Sequence, residues 1–303
     1  MFQVSLLCFK FWNFSKASEK KVLMNKTLQA LIDLALKEDI GSGDATSISL
    51  IEEDVIGEAI LVARHPYILS GVAVAEAVFT SVDANLKTEI LEKDGTLLEP
   101  HKAFMRITGP TRNLLTAERT ALNFIQRMCG IATLSHEFTE LVKHTDAVIL
   151  DTRKTLPGYR ELDKYAVKCG GATNHRMGLY DRVMIKDNHV QHWTSTEGFK
   201  LPEAVRIARK AYPKLVIEAE ADTVEQVHQL VEAGPEWILL DNMTLEQLRE
   251  CVGICKGKCK TEASGGVNLD TVKAIAETGV DAISVGALTH SVKAADISLD
   301  LLK

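Results

Sequence analysis

Apolar positions along this chain keep two different rhythms, and the change falls near residue 145. Before it, helices and strands follow one another without a regular beat. Leu28, Leu31, Ile32, Leu34 and Ala35 mark one side of a helix over Thr27–Lys37, which leads into a turn at Asp39–Asp44. Gly57–Arg64 alternates like a half-buried strand, Val72–Phe79 reads as a helix, and Lys87–Glu92 and Ala103–Thr108 read as further strands. The breaker Gly109-Pro110 then precedes a long helix, Asn113–Met128. That mixture predicts an α+β domain.

After residue 145, short apolar runs alternate with amphipathic helices. The runs are Ala147–Leu150, Val183–Ile185, Leu215–Ile217, Trp237–Leu240, Lys260–Ala263 and Ala282–Val285. The helices between them are Tyr159–Cys169, Leu201–Tyr212, Thr223–Ala233, Leu245–Ile254 and Leu269–Thr278, and a closing segment follows the last run. Such βα units predict a parallel sheet with crossover helices, either a barrel or an open doubly wound sheet. The strand ends favour the barrel. Each run is followed at once by polar or glycine residues: Asp151-Thr152-Arg153-Lys154, Lys186, Glu218, Asp241, Ser264-Gly265-Gly266 and Gly286. A closed barrel brings all such tips to one mouth, whereas an open sheet gathers them at a single switch point.

Composition narrows the class. The 303 residues are 46% hydrophobic and 25% charged, an ordinary globular balance. A net charge of −6 argues against a nucleic-acid partner. No apolar run reaches the roughly 18 residues of a membrane span, and the longest candidate, Phe2–Phe9, is cut by Lys10. Six cysteines are too few for a disulfide scaffold, so a cytoplasmic location is expected. Residues 1–23 are aromatic and basic, and read as a disordered upstream extension with Met24 as the true start.

Three groups of side chains converge on the expected mouth. Between Asp151 and Lys186 stand eight Lys and Arg against four acids. Arg160, Lys164 and Lys168 read as the solvated face of a helix. Arg153, Lys154, His175, Arg176 and Lys186 lie at strand tips or in glycine-bracketed loops, where arginine forks suit carboxylates and lysines suit phosphates. Glu218 and Asp241 each follow an apolar run, and could hold sugar hydroxyls or a hydrated Mg²⁺. Ser264-Gly265-Gly266 and Ser284-Val285-Gly286-Ala287 occupy the late positions where barrels bind a phosphate monoester. Cys251, Cys255 and Cys259 fit neither zinc nor iron–sulfur spacing, and Arg119 alone reads as a surface residue.

The run from Asp151 to His189 strongly resembles the quinolinate phosphoribosyltransferases. EDIGSGDATS, GP-x-R-N-L-L-x-x-E-R-x-A-L-N-F, VIEAE, LLDN, EASGGV and ISVGALTHS match in order from Leu28 to the C-terminus. The family's K-T-T-P-G reads K-T-L-P-G here, with Leu156 in place of threonine. The resemblance implies an incomplete, seven-stranded α/β barrel (131–303, with the C-terminal segment) behind an N-terminal α/β sandwich domain (24–130). It implies transfer of the phosphoribosyl group of 5-phosphoribosyl-1-pyrophosphate to quinolinate, with Mg²⁺, giving nicotinate mononucleotide, pyrophosphate and CO₂ in NAD biosynthesis. It also implies a homodimer, or a hexamer built from such dimers.

By the same resemblance, Arg153, His175 and Arg176 match quinolinate-binding residues, and Thr152, Lys154 and Lys186 line the anionic pocket. Arg119 matches an arginine that reaches into the partner's site. Glu218 and Asp241 match carboxylates near the ribose and, through substrate and water, the metal; with Lys154 they are the expected catalytic residues. Ser264, Gly265, Gly266, Val285, Gly286 and Ala287 match the 5-phosphate cradle, with His290 just beyond. A paralogue using another aromatic acid, a Schiff-base lyase working through Lys186, and a phosphosugar-binding module are the rival readings.

Overall fold

In the computed structural model the described residues are 25–189 and 201–302. The expectation for residues 1–23 lies outside them. Helix α1 (Lys26–Ile40) begins where the Asn25 side chain accepts the Leu28 N–H at 3.0 Å, and α2 (Ala45–Leu50) is capped in the same way by Asp44. Strand β1 (Ile56–Ala63), the short β2 (Tyr67–Ile68), α3 (Val72–Val82), β3 (Lys87–Ile90), β4 (Leu97–Leu98) and β5 (Ala103–Pro110) follow. β1 pairs antiparallel with β5, and β5 with β3. The sheet's other edge is the last strand, β12 (Ile297–Leu301), which pairs antiparallel with β1. The closing segment, expected with the barrel, therefore returns to the N-terminal sheet.

Helix α4 (Thr111–Val142) is far longer than the expected Asn113–Met128. It buries Leu114, Ala121, Phe124, Ile125, Met128, Ile131 and Phe138. Gly130 does not end it. A Cβ at that position would collide with the Lys293 carbonyl, so the glycine lets residues 292–293 cross the helix at close range.

The remaining strands are β6 (Val148–Leu150), β7 (Val183–Ile185), β8 (Ile217–Ala221), β9 (Trp237–Asp241), β10 (Lys260–Ser264) and β11 (Ala282–Ser284). Helices α5 (Arg160–Cys169), α6 (Leu201–Ala211), α7 (Val224–Ala233), α8 (Leu245–Cys255), α9 (Val272–Ala276) and α10 (Ala287–His290) lie between and after them. The strands form one parallel sheet in the order β6-β11-β10-β9-β8-β7. Beyond β6, Thr173 makes a parallel bridge to Leu150 as a seventh position. The sheet is thus an incomplete barrel.

Strand alternation sorts each strand into two faces. Ile217, Ala219, Ala221, Ile238, Leu240, Ala263 and Ile283 are buried on the outer face, toward the helices. The opposite parity, Glu218 and Glu220, Leu239 and Asp241, Glu262 and Ser264, points into the barrel. β8 runs past the expected Leu215–Ile217, so Glu218 sits inside the strand and not at its tip. α9 is shorter than Leu269–Thr278, because the Asn268 side chain takes the Asp270 and Thr271 N–H groups into a turn.

Candidate active site

A cavity of about 810 Å³ opens at the C-terminal ends of the parallel strands. Arg153, Lys154, Arg176 and Lys186 form its cationic side with the Thr152 hydroxyl beside them, and His175 lies on its floor. The wall is built from below by a buried ion pair. Lys164, only 1% exposed, donates to Asp151 and, at 3.1 Å, to the His175 carbonyl. Asp151 also accepts the Asn174 amide at 2.7 Å and the His175 N–H at 2.8 Å. Burial pushes the Asp151 carboxyl up and Lys164 down, each opposed by the other's charge. Lys164 is therefore not the solvated residue the helical pattern predicts, and neither is Arg160. Arg160 donates to Thr155 Oγ1 at 3.2 Å and to the Met177 carbonyl at 3.0 Å, joining the two loops that carry the wall. Lys168 is exposed, as expected.

Facing these cations are carboxylates. Asp241 lines the cavity, and oxygens of Glu220, Asp222 and Asp241 all lie within 4.8 Å of one another. Lys186 Nζ donates to Glu220 at 3.0 Å. Burial, then the nearby charges of Asp241 and Asp187, raise the pKa of Asp222; burial likewise raises Glu220 despite its bond to Lys186. Hard oxygen donors whose mutual repulsion a cation would relieve fit Mg²⁺.

Glu218 is not among the residues that line the cavity. It is fully buried, lies beneath the cavity, and accepts Arg182 Nη1 on Oε2 at 2.9 Å. Its Oε2 is also 3.2 Å from His175 Nε2, which is 3.3 Å from Glu262 Oε2. Ser284 donates to the other oxygen of Glu262. Burial opposes ionisation of Glu218, but His175 and Arg182 outweigh it and hold its pKa down. Burial and the Glu218 charge push Glu262 up. For His175, burial favours the neutral ring, while the two acids push its pKa up to about 9. A further contact opposes that charge: Arg176 N–H donates to Nδ1 at 2.7 Å, which requires a bare lone pair there.

The far end of the cavity is glycine. Ser264, Gly265, Gly266, Gly286, Ala287 and His290 line it. Gly265 (φ 99°) and Gly266 (φ 61°) are left-handed, and a Cβ on Gly265 would collide with Asn242 Oδ1. Val285 does not join them. Its side chain is buried on the outer face and its N–H donates to the Leu150 carbonyl at 2.9 Å. Thr289 ties this end to the cationic wall, donating Oγ1 to the Lys154 carbonyl at 2.8 Å while its own carbonyl accepts Arg127 at 2.9 Å. Arg119 is exposed on α4 and does not line the cavity.

The sequence reading missed Glu220, Asp222, Glu262 and Asn242. A signal for the first two was present: acids stand at 218, 220 and 222, every second residue, so all three share one strand face. Which of them reaches the mouth depends on β9, where Leu239 pairs with Glu220 and Leu240 with Ala221.

An incomplete α/β barrel whose mouth sets arginines and lysines opposite carboxylates, with a glycine-lined end, defines an enzyme for small, multiply anionic substrates. Relatives give the particular family. Residues 44–129 match the quinolinate phosphoribosyl transferase N-terminal domain and residues 131–300 its C-terminal domain. The chain belongs to the quinolinate phosphoribosyltransferase family. It is 42% identical to the probable carboxylating nicotinate-nucleotide pyrophosphorylase of Bacillus subtilis, covering 90% of this chain and 93% of that protein. A chloroplastic nicotinate-nucleotide pyrophosphorylase of rice is 43% identical, over 90% of this chain and 77% of that protein. The nicotinate-nucleotide pyrophosphorylase structure from Francisella tularensis superposes with a TM-score of 0.85 at 37% identity, over 91% of this chain and 96% of that one.

Proposed function

We propose that this chain transfers the phosphoribosyl group of 5-phosphoribosyl-1-pyrophosphate to quinolinate with decarboxylation, giving nicotinate mononucleotide, pyrophosphate and CO₂ for NAD synthesis. The observation that carries the reading is the opposition, across one cavity, of Arg153, Lys154, Arg176 and Lys186 to Asp241, with glycines 265, 266 and 286 at the far end. A dicarboxylate suits the arginine forks, and a phosphate suits left-handed glycines whose backbone it can approach.

The cationic wall holds the pyridine ring with its nitrogen aimed at the anomeric carbon, which is mainly a positioning effect. As pyrophosphate leaves, positive charge grows on the ribose, and Asp241 and Glu220 offset it. Lys154 and Lys186 meet the charge of the departing pyrophosphate. Glu220, Asp222 and Asp241 would hold Mg²⁺, which supplies further neutralisation of the diphosphate. Once the ring nitrogen carries the ribosyl group, the positive ring accepts the electron pair left when the adjacent carboxylate departs as CO₂. That carbon then takes a proton. No separate decarboxylation cofactor is needed.

We further propose that the chain works as a homodimer, with exposed Arg119 entering the partner's cavity. The test is CO₂ release from carboxyl-labelled quinolinate by purified protein. Release that requires both the ribosyl donor and Mg²⁺ supports the reading. No release from folded protein that still binds the donor would move the substrate to another aromatic acid.

A further inference from the structure

We infer that Glu262 is a positioning residue of this site, holding the His175 ring in one orientation on the cavity floor and thereby governing how the aromatic dicarboxylate binds. The inference rests on the functional reading above. The backbone of His175 is already anchored, its N–H on Asp151 and its carbonyl on Lys164. The ring is held separately, Nδ1 accepting the Arg176 N–H at 2.7 Å and Nε2 lying 3.2 Å from Glu218 and 3.3 Å from Glu262. Nε2 makes a well-formed hydrogen bond to neither acid, so its position is a balance between two near-equal pulls from β8 and β10.

The two acids are not equivalent. Among the described ion pairs, Glu218 has Arg182, whereas Glu262 has only the imidazole. Glu262 is fully buried, its second oxygen takes the Ser284 hydroxyl, and its pKa is raised. A buried acid whose ion-pair partner is an imidazole shared with another acid destabilises a fold relative to a neutral side chain of the same shape. It lines the cavity beside the ring, and its presence there is accounted for by what it does to the ring. With an amide in its place, Glu218 is the only carboxylate at Nε2, and the ring turns toward β8. Arg176, whose N–H is bonded to that ring, then loses its place in the wall.

The test is Glu262→Gln in the full chain. The KM for quinolinate is expected to rise about tenfold or more, as for other residues that orient a functional side chain, while that for the ribosyl donor stays within about twofold. The melting temperature should be no lower than that of the wild type. An unchanged quinolinate KM, or equal rises in both KM values with a lower melting temperature, would overturn the inference. If that variant does not fold, Ser284→Ala, which removes the hydroxyl that Glu262 accepts, should raise the quinolinate KM, and no rise would be equally fatal. Substrate-free ¹⁵N-histidine spectra separate this inference from the functional reading. A His175 ring shift in Glu262→Gln upholds positioning even if the wild type does not turn over quinolinate, and an unaltered ring signal refutes it.

Discussion

Replacing Lys164 with methionine tests whether the cationic wall stands on a buried charge. The residue is 1% exposed, and its ammonium serves both Asp151 and the carbonyl of His175. Methionine fills similar volume but leaves Asp151, which is fully buried, with only neutral donors from Asn174 and His175. Breaking a buried pair from one side costs about 3–5 kcal/mol. The pH dependence has a definite sign. Asp151 is already raised by burial, and removal of Lys164 takes away the strongest influence that lowers it, the neighbouring ammonium charge. A carboxyl that holds its proton more tightly when folded contributes stability at low pH and loses it as pH rises through the folded pKa. The deficit of Lys164→Met should therefore be full at neutral pH and shrink on acidification. Asp151→Asn, Lys164→Met and the double variant, followed by urea unfolding, close the cycle. We expect the double variant to be more stable than the sum of the single losses by about 2 kcal/mol or more. Additivity to within about 0.5 kcal/mol would refute the argument that the pair acts as one unit.

Other expectations follow from the same cavity. Lys154→Ala should lose kcat/KM equivalent to about 2–5 kcal/mol, because an anion held in the wall is left without its partner; wild-type-like turnover would contradict the assignment. Gly265→Ala places a Cβ against Asn242 at a φ of 99°, so the ribosyl-donor KM should rise with little change for quinolinate. Arg119→Ala and Lys154→Ala, each weak alone, should regain activity when mixed as heterodimers. Demonstrated heterodimers with no recovery would show that Arg119 does not serve the partner's site.

Much of the barrel was legible because its strands are short apolar runs closed by polar tips, and that punctuation survives without knowledge of pairing. The two glycines of Ser264-Gly265-Gly266 were legible for a similar local reason, since left-handed backbone leaves its mark on residue type. Errors arose where a residue's neighbour is remote in sequence. Lys164 reads as solvated because lysine usually is, and its burial is made tolerable by Asp151, 13 residues earlier just after β6, and by the His175 carbonyl. Gly130 inside helix α4 marks the close approach of Lys293 and not a helix end, and the sequence of the helix does not show that approach.

Glu218 and Glu220 satisfy the same local rule. Each stands on the inner face of β8, and each is acidic. What separates them is depth: Glu218 pairs across to Trp237 at the start of β9, whereas Glu220 pairs with Leu239, one step below Asp241. Periodicity along one strand fixes the face a side chain looks toward but carries no information on its height in the barrel. Height comes from register between strands about twenty residues apart in the chain. Two residues of register separate an acid that meets Lys186 beside the mouth from one locked beneath the floor with Arg182. The surroundings of the pair therefore follow from their depth: Glu220 meets Lys186 beside the mouth, and Glu218 is held beneath it by Arg182 and His175.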